Sequence, residues 1–115
     1  MNSPQTDRLF GVLADGTARR IFSRVHERPQ SAKELRNQCD TSLKTIYRRL
    51  EDLQDVDLVS DVMCADEDGN HYTAYVSTIE EVDISIVPET EQVEVTIQDG
   101  DDVDQFVSIW DELQE

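Results

Sequence analysis

The chain has 115 residues and a formal net charge of −16, a size suited to one small core. No apolar run reaches the roughly 18 residues a membrane span needs, and Met1-Asn2-Ser3-Pro4 opens without a charged region leading into an apolar stretch, so a cytoplasmic protein with no secretory signal is expected. Cys39 and Cys64 are too few for a disulfide framework.

The first half reads as helices. Leu9, Phe10, Val12 and Leu13 give an apolar face to a short first helix that stops near Asp15-Gly16, a turn dipeptide. Thr17 is placed to cap the second helix, in which Ile21, Phe22 and Val25 recur before Pro29 ends it. Ser31-Ala32-Lys33-Glu34 has the form of a capping box, a hydroxyl three residues ahead of a carboxylate. It predicts a third helix to about Cys39, with Leu35 inward. Asp40-Thr41-Ser42 is a short polar break. Beyond it Ile46, Leu50 and Leu53 form one apolar stripe, which predicts a fourth helix over about 42–54.

After Leu58 the pattern turns to strands. Val59–Ala65 and Tyr72–Thr78 are β-prone runs on either side of Asp66-Glu67-Asp68-Gly69-Asn70, which is turn chemistry. Val82, Ile84 and Ile86, then Val93, Val95 and Ile97, alternate with polar residues around Pro88-Glu89-Thr90-Glu91, a second hairpin with one buried face. Val103, Phe106, Val107, Trp110 and Leu113 then fall at helical spacing. The expected fold is α+β: a winged helix-turn-helix with an added C-terminal β-hairpin and a C-terminal dimerisation helix. Residues 1–78 form the winged part, with its wing at about 59–78, and 79–115 add the hairpin and dimer helix to the same single domain.

Charge is divided along the chain. All ten Lys and Arg lie at or before Arg49, among only five acids; the other acids fill residues 50–115, where no Lys or Arg occurs. That split predicts one polyanion-facing surface on an acidic body. Abundant carboxylates with only two lysines, Lys33 and Lys44, suit a salt-loaded cytoplasm, where hydrated acids keep a protein dispersed.

Two helices joined by a short turn, the second with cations on its free face, outline a helix-turn-helix. A helix that reads the major groove needs cations and hydrogen-bonding groups on one side and apolar residues on the other. Residues 42–53 satisfy this. Ser42, Leu43, Lys44 and Thr45 stand at the N-terminal end, Arg48 follows Lys44 by one turn, and Tyr47 and Arg49 flank them for phosphates. Arg19, with Asn70 and His71 at the wing tip, completes the candidate DNA-binding set.

The ordered set Leu13-Ala14-Asp15, Arg19-Arg20-Ile21, Glu34-Leu35, Ser42-x-x-Thr45-Ile46-Tyr47-Arg48-Arg49-Leu50-x-x-Leu53 and Leu58-Val59 resembles the haloarchaeal ArsR-like winged helix-turn-helix regulators, over about residues 7–78. The resemblance implies a homodimer on a palindromic operator, the fourth helix in the major groove and the wing on the minor groove or backbone. Arg36, where such motifs often have a small residue, and Asp40-Thr41, where Gly and an apolar residue are frequent, depart from the pattern. The metal-sensing relatives carry a cysteine pair on the helix before the reader; only Cys39 is present, so metal sensing is not carried over.

The remaining candidates sit beside plainer readings. Arg20 and Arg24 suit ion pairs with the acidic half. Cys39, just ahead of the reading helix, is a possible redox sensor if its thiolate is exposed and of lowered pKa, and otherwise a small packed residue. His26, His71 and the cysteines lack metal-ligand spacing. The stripe of Phe106, Val107, Trp110 and Leu113, with Leu9, is expected at the dimer interface. No nucleophile–base pair or phosphate-cradling glycine loop occurs, so no enzyme and no cofactor are expected. The expected partners are double-stranded DNA, a second copy of the chain and salt cations at the DNA interface, with no membrane. The rival reading is a winged-helix module that docks on transcription or replication machinery without reading sequence.

Overall fold

The computed structural model describes residues 4–100 and the backbone of Phe106–Val107. Four helices come first: α1 (Pro4–Ala14), α2 (Gly16–Glu27), α3 (Ala32–Cys39) and α4 (Leu43–Asp55). Strands follow: β1 (Ser60–Ala65), β2 (His71–Val76), β3 (Ile79–Val87), β4 (Gln92–Asp99) and β5 (Phe106–Val107).

Side-chain oxygens decide where α2, α3 and α4 begin. Asp15 Oδ1 accepts the Ala18 N–H at 2.9 Å, so the cap of α2 lies two residues before the expected Thr17. A carboxylate there also opposes the positive helix end, which a hydroxyl does not. Ser31 and Glu34 form the reciprocal capping box: the Glu34 N–H donates to Ser31 Oγ at 3.2 Å and the Ser31 N–H to Glu34 Oε1 at 3.0 Å. Ser42 Oγ accepts the Thr45 N–H at 3.1 Å and starts α4.

The chain divides into two compact units, Val12–Ser77 and the described parts of 1–11 and 78–115. In the Val12–Ser77 unit, α2, α3 and α4 pack pairwise and β2 lies against α2 and α3. Its core includes Ile21, Val25, Leu35, Ile46, Leu50 and Leu53, each at most 1% exposed. The β1–β2 hairpin pairs from Ser60↔Val76 to Ala65↔His71. Its turn is braced by Asp66, whose Oδ1 accepts the N–H groups of Asp68 and Asn70, both at 2.9 Å. Gly69, at φ +83°, takes the left-handed position that a side chain would strain.

An extended residue that sequence patterning missed roots this wing. Gln30 pairs with Tyr75 through both backbone bonds, at 3.0 and 2.8 Å, adding a one-residue third strand. Its side chain is 1% exposed, donates to the Arg24 carbonyl at 2.6 Å and accepts from Gln38 Nε2. Paired in this way, a buried amide carries no desolvation debt.

In the other unit, β3, β4 and β5 form an antiparallel sheet in that order. Val93, Val95 and Ile97 on β4 are buried, whereas Ile84 and Ile86, paired opposite Val95 and Val93, stay 40% and 57% exposed. The expected C-terminal helix is corrected at Phe106–Val107: these two residues pair as a strand with Gln98 and Ile97. Both are good strand formers, and the pairing satisfies an edge of β4 that would otherwise be open. Trp110 and Leu113, and the side chains of Phe106 and Val107, lie outside the described residues. Leu9, expected at a dimer interface, is fully buried within the single chain and has no surface left for a partner.

Candidate nucleic-acid interface

The turn between α3 and α4 is three residues long, and its geometry sets how α4 is presented. Asp40 ends α3 in the left-handed conformation (φ 50°, ψ 51°), the position that Gly fills in related motifs. Aspartate adopts it because its short polar side chain tolerates that region better than most. Ser42 then caps α4 and donates its hydroxyl to Thr45 Oγ1 at 3.0 Å. The two hydroxyls expected to approach base edges are therefore first of all a helix start, and they fix the direction in which its N-terminus points.

With Ile46, Leu50 and Leu53 buried, the opposite side of α4 carries Lys44, Tyr47, Arg48 and Glu51, all exposed. Lys44 and Arg48 stand one turn apart and form no ion pair among the described residues. Leu43 is half-buried beside them. The cationic part of the helix is its N-terminal half; beyond Arg49 the same helix carries Glu51, Asp52 and Asp55.

Two of the expected phosphate-binding arginines are engaged elsewhere. Arg49 is pulled back against the protein: its Nε lies 3.1 Å from Asp15 Oδ2 and its NH1 donates to Asp52 Oδ2 at 3.1 Å. Only 26% of its side chain is exposed. This corrects its place in the DNA-binding set, because a guanidinium shared by two carboxylates has lost most of its attraction for a third anion. Arg19 NH1 donates to the Leu13 carbonyl at 2.6 Å and so caps the end of α1. Arg24 pairs with Glu27 at 3.8 Å and Arg28 with Glu34 at 3.1 Å.

Asn70 and His71 are exposed at the wing tip beside Asp66, Glu67 and Asp68. The expected departure at Arg36 carries no packing cost, since that residue is exposed. Cys39 is 7% exposed, and burial pushes its thiol up in spite of Arg20 and Arg24 nearby. That is the reverse of what a sensor thiolate requires, so the redox reading of Cys39 loses its physical basis.

A cleft opens beside α4. Ser31, Lys33 and Glu34 at the start of α3, Tyr47 on α4, and Asp66, Tyr72 and Tyr75 of the wing line it. The backbone N–H of Ser31, first of all, holds the Glu34 carboxyl below its usual range, with Arg28 adding to the effect. The Tyr72 phenol is pushed up by Cys64, then by burial and by the Glu34 and Asp66 carboxylates, and that of Tyr75 by burial and then by Tyr47 and Asp61. Sequence patterning gave no signal for this cleft, because its walls come from three elements far apart in the chain.

Among the described residues no helix is long and apolar enough to cross a membrane. No curated protein matches the chain. Residues 13–62, from the end of α1 through the first residues of the wing, match a family model described as a helix-turn-helix domain, which supports a regulator of the winged helix-turn-helix kind with double-stranded DNA as its partner.

Proposed function

We propose that this chain is a sequence-specific DNA-binding transcription regulator, acting as a homodimer on a palindromic operator in a high-salt cytoplasm. The observation that carries the reading is the free pair Lys44 and Arg48 on the exposed side of α4, in a chain whose other cations near that helix are largely spent on ion pairs and caps. The N-terminal half of α4 enters the major groove, Tyr47 flanks the contact, and Asn70 and His71 bring the wing to the neighbouring backbone or minor groove.

Dimerisation is supported by the small size of the chain and by apolar surface left open on β3, where Ile84, Ile86 and Val87 are exposed. High salt is supported by the charge of −16. Acids that flank the footprint repel phosphates unless cations lie between them, so salt cations belong to the interface.

The test is binding of the purified chain to DNA from upstream of its own gene in molar potassium chloride, with footprinting of the protected site. A symmetric footprint and a dimer in sedimentation equilibrium are expected. Absence of sequence preference at every salt concentration would remove the reading and favour a module that docks on other proteins.

A further inference from the structure

All three tyrosines of the chain, Tyr47, Tyr72 and Tyr75, line one cleft of about 510 Å3. They come from α4 and β2, and two of them are not core residues: Tyr47 is 51% and Tyr72 40% exposed. The volume falls within the range of about 300–1,000 Å3 usual for small-molecule clefts.

The charges in the cleft select the sign of an occupant. Glu34 and Asp66 contribute carboxylates, and Lys33 is exposed at the rim. One Glu34 oxygen takes the Ser31 N–H and the other takes Arg28, which fixes the group in its charged form. Asp66 spends Oδ1 on the wing turn, and its Oδ2 makes no hydrogen bond among the described residues. After Cys64 and burial, the Glu34 and Asp66 carboxylates also help to push the Tyr72 phenol up.

We propose that this cleft binds a methylated organic ammonium ion, held against Tyr47, Tyr72 and Tyr75 and neutralised by Asp66, the carboxylate of the cleft that no cation pairs among the described residues. Aromatic faces attract cations through their quadrupole, and the attraction grows as the cation sheds water. A methylated ammonium sheds water readily, whereas a small inorganic cation or a primary ammonium must break strong hydration first. An anion meets the unpaired Asp66 carboxylate, and a neutral ligand of the same shape forfeits the electrostatic part of the attraction. Tyr47 stands between Lys44 and Arg48 on α4, so an occupied cleft places positive charge beside the DNA-facing side of that helix and strengthens DNA binding. This coupling rests on the proposed DNA-binding function; the ligand site does not.

Titration calorimetry of the full chain with choline chloride, at neutral pH in molar potassium chloride and without DNA, tests the site. Saturable one-to-one binding is expected, with a dissociation constant on the order of millimolar. The uncharged isostere 3,3-dimethylbutan-1-ol binds at least about tenfold more weakly if the aromatic faces act on charge. Tyr72→Phe, which keeps the ring, stays within about threefold of the parent, whereas Tyr72→Ala weakens binding by about tenfold or more. Asp66→Asn, which keeps the acceptor for the wing turn, weakens it several-fold. No saturable heat, equal affinity for choline and its isostere, or an unaffected Tyr72→Ala protein with native circular dichroism each overturns the site. If choline binds but leaves DNA affinity unchanged in a chain shown to bind DNA, the coupling falls and the site stands.

Discussion

The Nε of Arg49 lies 3.1 Å from Oδ2 of Asp15, the residue whose other carboxylate oxygen caps α2. One aspartate thereby starts a helix and anchors the neighbouring helix α4. Both side chains keep about a quarter to a third of their surface exposed, so water screens the attraction. Arg49→Met should cost about 1 kcal/mol of stability, read as a lower urea midpoint. Asp15→Asn, which preserves the cap, should give a coupling of about 0.5–1 kcal/mol in a double-mutant cycle with it. DNA affinity should change no more than the lost stability explains.

Arg48 behaves in the opposite way. Arg48→Ala should leave the unfolding midpoint unchanged and weaken specific DNA binding by about 1–3 kcal/mol if the guanidinium reads a base. Lys44→Ala separates base contact from phosphate contact: a uniform loss across sequences marks phosphate, and a loss confined to the operator marks a base. Fluorescence anisotropy with operator and scrambled duplexes distinguishes the two.

The salt dependence should differ from that of a basic protein. Binding cations to phosphates releases counterions and makes affinity fall with salt. Acids at the wing tip and along the second half of α4 take up cations as DNA approaches, and the two effects oppose. A shallow or reversed slope of affinity against salt is expected over part of the range. A steep fall throughout would show that those acids face away from the duplex.

Burial raises the Cys39 thiol, which fixes the sign of an alkaline effect. The folded state holds its proton more tightly than the unfolded chain. This contribution is therefore fully present below the ordinary thiol pKa of about 8.5 and is lost as pH climbs through the raised folded value. Cys39→Ala should flatten that alkaline loss in denaturation curves taken between pH 7 and 10. At pH 8 the half-buried Cys64 should react with iodoacetamide faster than Cys39.

Asp40 offers a stabilising change. Its left-handed backbone disfavours any side chain, and its charge sits at the negative end of α3. Asp40→Gly removes both costs, against some loss from the greater freedom of glycine when unfolded. A net gain of about 0.5–1 kcal/mol is expected, with Asp40→Asn between the two in thermal melts.

The local parts of this architecture were legible in the sequence because their causes are local. Ser31 and Glu34 sit three residues apart and cap one helix; the turn around Gly69 lies between two β-prone runs; Ile46, Leu50 and Leu53 mark the buried side of α4. What escaped depends on residues distant in sequence. Nothing near Arg49 announces Asp15, and nothing near Gln30 announces Tyr75. Thr17 looked like a cap because periodicity locates a helix start only to within a residue or two, and a better oxygen lay just upstream. Phe106 and Val107 fell at helical spacing, and pairing with β4, a strand outside that pattern, overrode it. For the site, the exposed side of α4 was readable, but which of its cations are free was not.

Gln30 makes the wing something other than an appendage. Its main chain is stitched to the hairpin, while its amide grips the last turns of α2 and α3 at Arg24 and Gln38. Rocking the hairpin at its base therefore means tearing a sealed amide away from two helices at once. A push delivered at the tip would reach, through that rivet, the two helices against which α4 packs.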